Sequence, residues 1–121
     1  MKKFELTSEK EEWLGHTFSR IRACKDFVCG DGTMVHVGDF GGFVEKEQNL
    51  SQDGNAWIFD NAKVYGNAEV YDDADVYGDA LIFDNALIFG NAEVYGNAKV
   101  YCDAKVYGNV KVCDKSNIRA N

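Results

Sequence analysis

Gly54–Arg119 reads GNAWIF DNAKVY GNAEVY DDADVY GDALIF DNALIF GNAEVY GNAKVY CDAKVY GNVKVC DKSNIR, one six-residue phrase repeated without a gap. A fixed short period is the mark of a solenoid, in which each unit packs on its neighbours, and a period of six points to a parallel β-helix. More than half of the chain is therefore scaffold. Nearly every repeated residue is accounted for by the coil, so the repeats state the fold more clearly than the function.

Within each unit the side chains of a short strand alternate between two faces. The small residue (Ala56, Ala62, Ala68, Ala74, Ala80, Ala86, Ala92, Ala98, Ala104) and the β-branched one two places later (Ile58, Val64, Val70, Val76, Ile82, Ile88, Val94, Val100, Val106, Val112, Ile118) share one face, which is the inside. The residue between them is mostly charged, as in Lys63, Glu69, Asp75, Glu93, Lys99 and Lys105, and the aromatic that follows also points outward. Each unit closes with Gly or Asp and then Asn or Asp, residue types that tolerate left-handed backbone angles at a tight corner.

These units resemble the left-handed parallel β-helix of the hexapeptide-repeat proteins, and the resemblance covers about two thirds of the chain. It implies three units to a triangular coil, with side chains eighteen residues apart stacking into ladders. One face then carries Phe59, Tyr77, Tyr95 and Cys113, the next Tyr65, Phe83, Tyr101 and Arg119, and the third Tyr71, Phe89 and Tyr107. Each buried Val or Ile contributes roughly 1.5–3 kcal/mol on transfer from water, offset by the entropy of ordering its strand. The expected fold is all-β: a left-handed parallel β-helix over residues 44–121 with a small β-rich cap over residues 1–43.

With 121 residues the chain has the size of one compact unit. It has no Pro, no apolar run long enough to cross a membrane and no signal peptide, so a cytoplasmic protein is expected, in the host cell if the gene is a phage's. Cys24, Cys29, Cys102 and Cys113 read as free thiols: the first two lack a His-rich partner cluster, and the others replace a corner residue and an outward aromatic. No metal and no cofactor are expected. The formal charge of −7 argues against direct binding to nucleic acid, because a phosphate backbone needs a basic stripe. An acidic rod could imitate DNA, but acidic corners also keep an edge-rich β protein apart from its copies, and that reading is preferred.

Residues 1–53 break the period. Lys3–Thr7 and Thr17–Phe27 read as strands, the second with Arg20 and Arg22 alternating against Ile21 and Ala23, and Glu9–Trp13 as a short helical turn. VGDFGGFVEKEQNLSQDGNAWIF follows, over Val37–Phe59. This segment is similar to the leader of small hexapeptide β-helix proteins of phages and prophages, in which a Gly-Asp, a Gly-Gly-aromatic and a Glu-rich Asn-Leu-Ser run lead into the repeats. Val44 and Leu50 are already six apart, so the helix begins here, with two extra residues before Ile58 forming a bulge or loop.

The fold resemblance also implies a test for enzymes, since many hexapeptide-repeat proteins are trimeric acyltransferases that use acyl-coenzyme A and a His base. Here the two histidines, His16 and His36, precede the repeats, and no coil is interrupted by a long substrate loop. Both read as strand or loop residues, and fold alone grants no activity. There is no nucleophile elbow or phosphate loop. A non-enzymatic protein is expected, with acyltransferase as the alternative.

Binding remains. Leu81 and Leu87 stand where the repeat usually places a charge, beside Phe83 and Phe89 in consecutive units. Exposed apolar patches mark contact with another surface, here a homotrimer or homodimer interface or a foreign partner, with Tyr65 and Tyr101 in the neighbouring ladder. A second group, Trp57, Trp13, Phe40 and Phe43, reads either as the core of the cap or, beside Arg20 and Arg22, as a pocket in which a nucleotide stacks and pairs. The phage resemblance implies a small oligomeric binding protein that counters a host defence, by blocking a protein effector or by sequestering a nucleotide signal. A structural phage component is the other alternative, weakened by the shortness of the rod.

Overall fold

The computed structural model describes residues 2–113 and 117–120, so Asp114, Lys115 and Ser116 of the last unit lie outside the described residues. The strands in chain order are β1 (Phe4–Trp13), β2 (His16–Ala23), β3 (Phe27–Val28), β4 (Met34–Val35), β5 (Phe40–Val44), β6 (Trp57–Ile58), β7 (Lys63–Val64), β8 (Glu69–Val70), β9 (Asp75–Val76), β10 (Leu81–Ile82), β11 (Leu87–Ile88), β12 (Glu93–Val94), β13 (Lys99–Cys102), β14 (Lys105–Val106), β15 (Lys111–Val112) and β16 (Asn117–Ala120). A single 3-10 turn, Glu47–Asn49, is the helical element among the described residues.

From β6 onward each strand pairs in parallel with the one eighteen residues later, as in Leu81 with Lys99 and Leu87 with Lys105. Three sheets result. The first face stacks β5, β7, β10, β13 and β16; the second β8, β11 and β14; the third β6, β9, β12 and β15. The chain is an all-β parallel solenoid of about four turns. Its interior is built of the residues the repeat marks as inward: Ala56 to Ala98 and Ile58 to Val100 at these positions have no exposed surface. Two columns per face suffice, because a narrow triangular interior leaves room for Ala in one and a β-branched residue in the other. Val110 stands in place of that Ala in the last described coil, where it is 52% exposed.

At the corners, Asp60, Asp72, Asp84 and Cys102 have φ between 57° and 60° and alternate with glycines in the same left-handed region. The aspartates serve a second purpose. Asp60 accepts from the backbone N–H of Gly78 at 3.0 Å, Asp72 from Gly90 at 3.1 Å and Asp84 from Cys102 at 3.0 Å, each one coil further on. The Gly/Asp variation of the repeat thus couples coil to coil.

The N-terminal segment caps the solenoid. β1 and β2 form an antiparallel hairpin that joins the first sheet through β5, giving the order β1-β2-β5-β7-β10-β13-β16. The helical turn expected at Glu9–Trp13 is not formed: these residues continue β1, because a register shift between Leu6 and Lys10 lets the strand stay paired with β2. The second expected strand ends at Ala23, and Phe27 starts the separate hairpin of β3 and β4. The two extra residues before Ile58 are present. Val44 aligns with Val64 and Leu50 with Val70, twenty residues apart, whereas Ile58 aligns with Val76 at the normal eighteen.

Each coil donates its N–H groups to the coil that follows, as Lys63 does to Ala80 O at 2.9 Å, so the first coil's carbonyls need donors from beneath. On the first face β5 supplies them, through Phe43 N–H to Ala62 O. On the second, the side chain of Asn49 substitutes for a strand, its Nδ2 donating to Ala68 O at 2.8 Å and Gly66 O at 3.2 Å while Oδ1 accepts from Glu45 and Lys46 N–H. On the third, buried Lys3 donates Nζ to Ala56 O at 2.7 Å, and burial lowers the pKa of its ammonium to about 8.

Candidate binding surfaces

From Tyr65 onward the aromatic after a strand stacks on its aromatic counterpart one coil away. Ring centroids are 5.0–5.3 Å apart and the rings within 11° of parallel in the pairs Tyr71 with Phe89, Phe89 with Tyr107, Tyr65 with Phe83, Phe83 with Tyr101, and Tyr77 with Tyr95. The ladders read from the repeats are thus stacked from Tyr65 onward, whereas Phe59, expected at the foot of the first, meets Tyr77 edge-on at 5.7 Å with the rings 81° apart; most of these rings are half-buried rather than open to water.

Leu81 and Leu87 are half-buried on adjacent faces. Leu81 sits between Lys63 and Lys99 on the first face, and Leu87 between Glu69 and Lys105 on the second. Leu87 is also in the wall of an open groove of about 640 Å³, lined with it by Glu47, Gln48, Leu50, Ser51, Gln52, Glu69 and Tyr71. The groove has a simple origin: the 3-10 turn and the two extra residues take the chain off the regular path beside the second face. Lys2 closes on Glu47 at 3.1 Å and Gln52 Nε2 on Glu47 at 3.3 Å, which fix that wall. The sequence singled out Leu87 but not its partners, because Gln48 and Gln52 belong to no repeat.

Tyr65, read as part of the same surface, is 7% exposed. The β1–β2 hairpin covers it, with Trp13 edge-on at 6.2 Å, Phe18 at 5.2 Å and His16 at 4.8 Å. Phe83 packs against that cluster, and Tyr101 lies one coil further along the ladder.

The residues considered as a nucleotide pocket are only partly brought together. Arg20 lies over the ring of Phe43 at 4.3 Å, and its guanidinium makes four hydrogen bonds, to Glu9 at 2.8 Å, Gly41 O at 2.6 Å, Asp60 O at 3.2 Å and Asn61 Oδ1 at 3.2 Å. Phe43 is buried beneath it. Arg22 pairs with Glu5, opposite Phe40, which is 59% exposed. Trp57 lies on the third face, buried edge-on between Phe4 at 6.5 Å and Phe27 at 5.3 Å. Of the two readings of the aromatic group, the core of the cap describes Trp57 and Phe43.

His16 Nδ1 is 2.7 Å from Glu45 Oε2, and Glu45 Oε1 accepts from Gly66 N–H at 2.9 Å. The bond from His16, joined by that from Gly66, holds the Glu45 carboxyl below its ordinary range. His16 borders a shallow depression of about 380 Å³ at the hairpin turn, with Glu12, Trp13, Leu14, Gly15 and Thr17. His36 is exposed, 4.0 Å from Asp26. The four cysteines are free thiols, and burial pushes that of Cys29 up to about 12, so it is inert at neutral pH. Among the described residues no three His, Cys, Asp or Glu side chains converge as metal ligands, and no helix is long and apolar enough to cross a membrane.

No protein-family model matches the chain, and no curated protein matches it.

Proposed function

We propose that the chain is a non-enzymatic, oligomeric binding protein of phage origin that acts in the host cytoplasm against a defence system, blocking a protein effector or sequestering a nucleotide signal. The observation that carries the binding reading is Leu87, an apolar side chain in a charged column that lines an open groove of about 640 Å³ beside Tyr71. A preformed β-solenoid suits this role, since little entropy is lost when a rigid surface binds. The phage and counter-defence parts rest on the leader, Val37–Ile58. Native mass spectrometry of the parent and of Leu81→Asp/Leu87→Asp tests the reading. A dimer or trimer, or a retained small molecule, that disappears in the variant supports it; unchanged mass and unchanged ligand retention refute it.

One observation favours acyl transfer as a second reading: the 2.7 Å His16–Glu45 pair, which orients an imidazole as a general base requires. That reading predicts saturable coenzyme A binding and loss of turnover in His16→Ala. Absence of coenzyme A binding would remove it.

A further inference from the structure

Asp75 occupies the outward position of β9, in a column with Trp57, Glu93 and Lys111. Equivalent positions elsewhere, such as Glu69 and Lys99, are exposed, yet Asp75 is 1% exposed because residues 27–35 fold over it. Its Oδ2 accepts a hydrogen bond from the backbone N–H of Asp31 at 3.1 Å, and its Oδ1 is buried with no hydrogen-bond partner among the described residues. A carboxylate left in this state carries an uncompensated desolvation cost that its protonated form largely avoids.

The surroundings add to that cost. Asp31 and Cys29 face Asp75 from the covering segment, Asp73 from the preceding corner and Glu93 from β12. Tyr77 is also close, its hydroxyl donating to Glu93 at 2.5 Å. Of the cations on this side, Lys3 is directed to the carbonyls of Ala56 and Gly54, and Lys111 lies 3.7 Å from Glu93. Burial first, then Asp31, raise the Asp75 pKa from 3.8 to about 7.

The covering segment is a weakly anchored unit. β3 and β4 have two residues each and pair only with one another, and a two-stranded hairpin is marginal by itself. It is held through Phe27, Cys29 and Val35 on its inner side. At its turn Gly30 lies so close to the third face that a Cβ there would fall 2.1 Å from Asp73 O.

We propose that residues 27–35 are a pH-responsive strap, closed over the third face when Asp75 is protonated and released when it ionises, so that Trp57 and Cys29 are uncovered on the alkaline side. The sign follows from linkage. Closed, Asp75 holds its proton up to about pH 7; open to water, it releases it near 3.8. The opening constant therefore rises about tenfold per pH unit between about pH 4 and 7 and levels off above.

Native-state hydrogen exchange of the full chain tests this, with each rate divided by the intrinsic rate at that pH. The strap amides are Cys29, bonded to Thr33 O at 2.8 Å, Gly32, bonded to Cys29 O at 2.9 Å, and Asp31; the reference amides are Glu69 and Leu81 in the coils. From pH 5 to 7 strap protection is expected to fall about 50-fold while the reference amides hold theirs. In Asp75→Asn, and in Asp75→Leu as an independent variant, strap protection is expected to be flat. A flat profile in the parent, an equal fall in both variants, or a parallel loss at Glu69 and Leu81 overturns the proposal.

Discussion

Removing the side chain of Asn49 should unseat the first coil of the second face. Asn49 has no exposed surface and makes four hydrogen bonds, at 3.1 and 2.9 Å through Oδ1 and at 3.2 and 2.8 Å through Nδ2. In Asn49→Ala, Ala68 O loses its donor in a buried setting, which costs about 2 kcal/mol, and Lys46 N–H and Gly66 O lose about 0.5–1 kcal/mol each because water replaces the bond, while Glu45 N–H keeps Val64 O at 3.2 Å. The sum is about 3–4 kcal/mol, a large part of the 5–15 kcal/mol typical of a domain. Asn49→Asp should cost no less: it keeps the acceptor but sets a carboxylate oxygen against two carbonyls. Equilibrium unfolding in urea, with Asn91→Ala at an exposed corner as reference, measures this. A loss below about 1 kcal/mol in Asn49→Ala, equal to the reference, would refute the claim that this side chain stands in for a missing strand.

Two further outcomes are expected. Ile82→Ala empties a fully buried site between Val64 and Val100 and should destabilise by about 2–5 kcal/mol, whereas Leu81→Ala on the outer side should cost less than half of that; urea unfolding of the two compares them. His16→Ala removes the leading cause of the low Glu45 pKa, a contribution present above about pH 4.5 and lost as pH falls through the folded value. Because the pair is partly exposed, the variant should be less stable at pH 7 by about 1 kcal/mol or less, with the difference vanishing in acid; a difference independent of pH would reject the pair as its source.

The repeats were legible because each position of a short strand has one environment all along a solenoid. Ala98 and Val100 could be placed inside and Lys99 outside from a single unit, and the eighteen-residue ladders followed. The two extra residues before Ile58 were legible in the same spacing. Glu9–Trp13 was misread because charge-rich local sequence does not show that a bulged partner strand will hold it extended. The surfaces were half legible. An apolar residue in a charged column singles out Leu87 by itself, but the groove it lines depends on where Gln48 and Gln52 are carried by an irregular turn.

The sequence by itself determined the parallel solenoid, its inward and outward columns and its corners, since these depend only on a period and on residue type. Tertiary structure decided which outward residues stay outward. Tyr65, Trp57 and Asp75 occupy ordinary outer positions of the repeat, yet the hairpin and the strap bury all three. It also decided that Asn49 and Lys3 replace strands beneath the first coil, and that corner aspartates cap the next coil's amides. The physical reason is the same in each case. A buried hydrogen-bonding group must find a partner or bear the cost of its burial, and the partner is set by which segments meet in space, far apart in the chain.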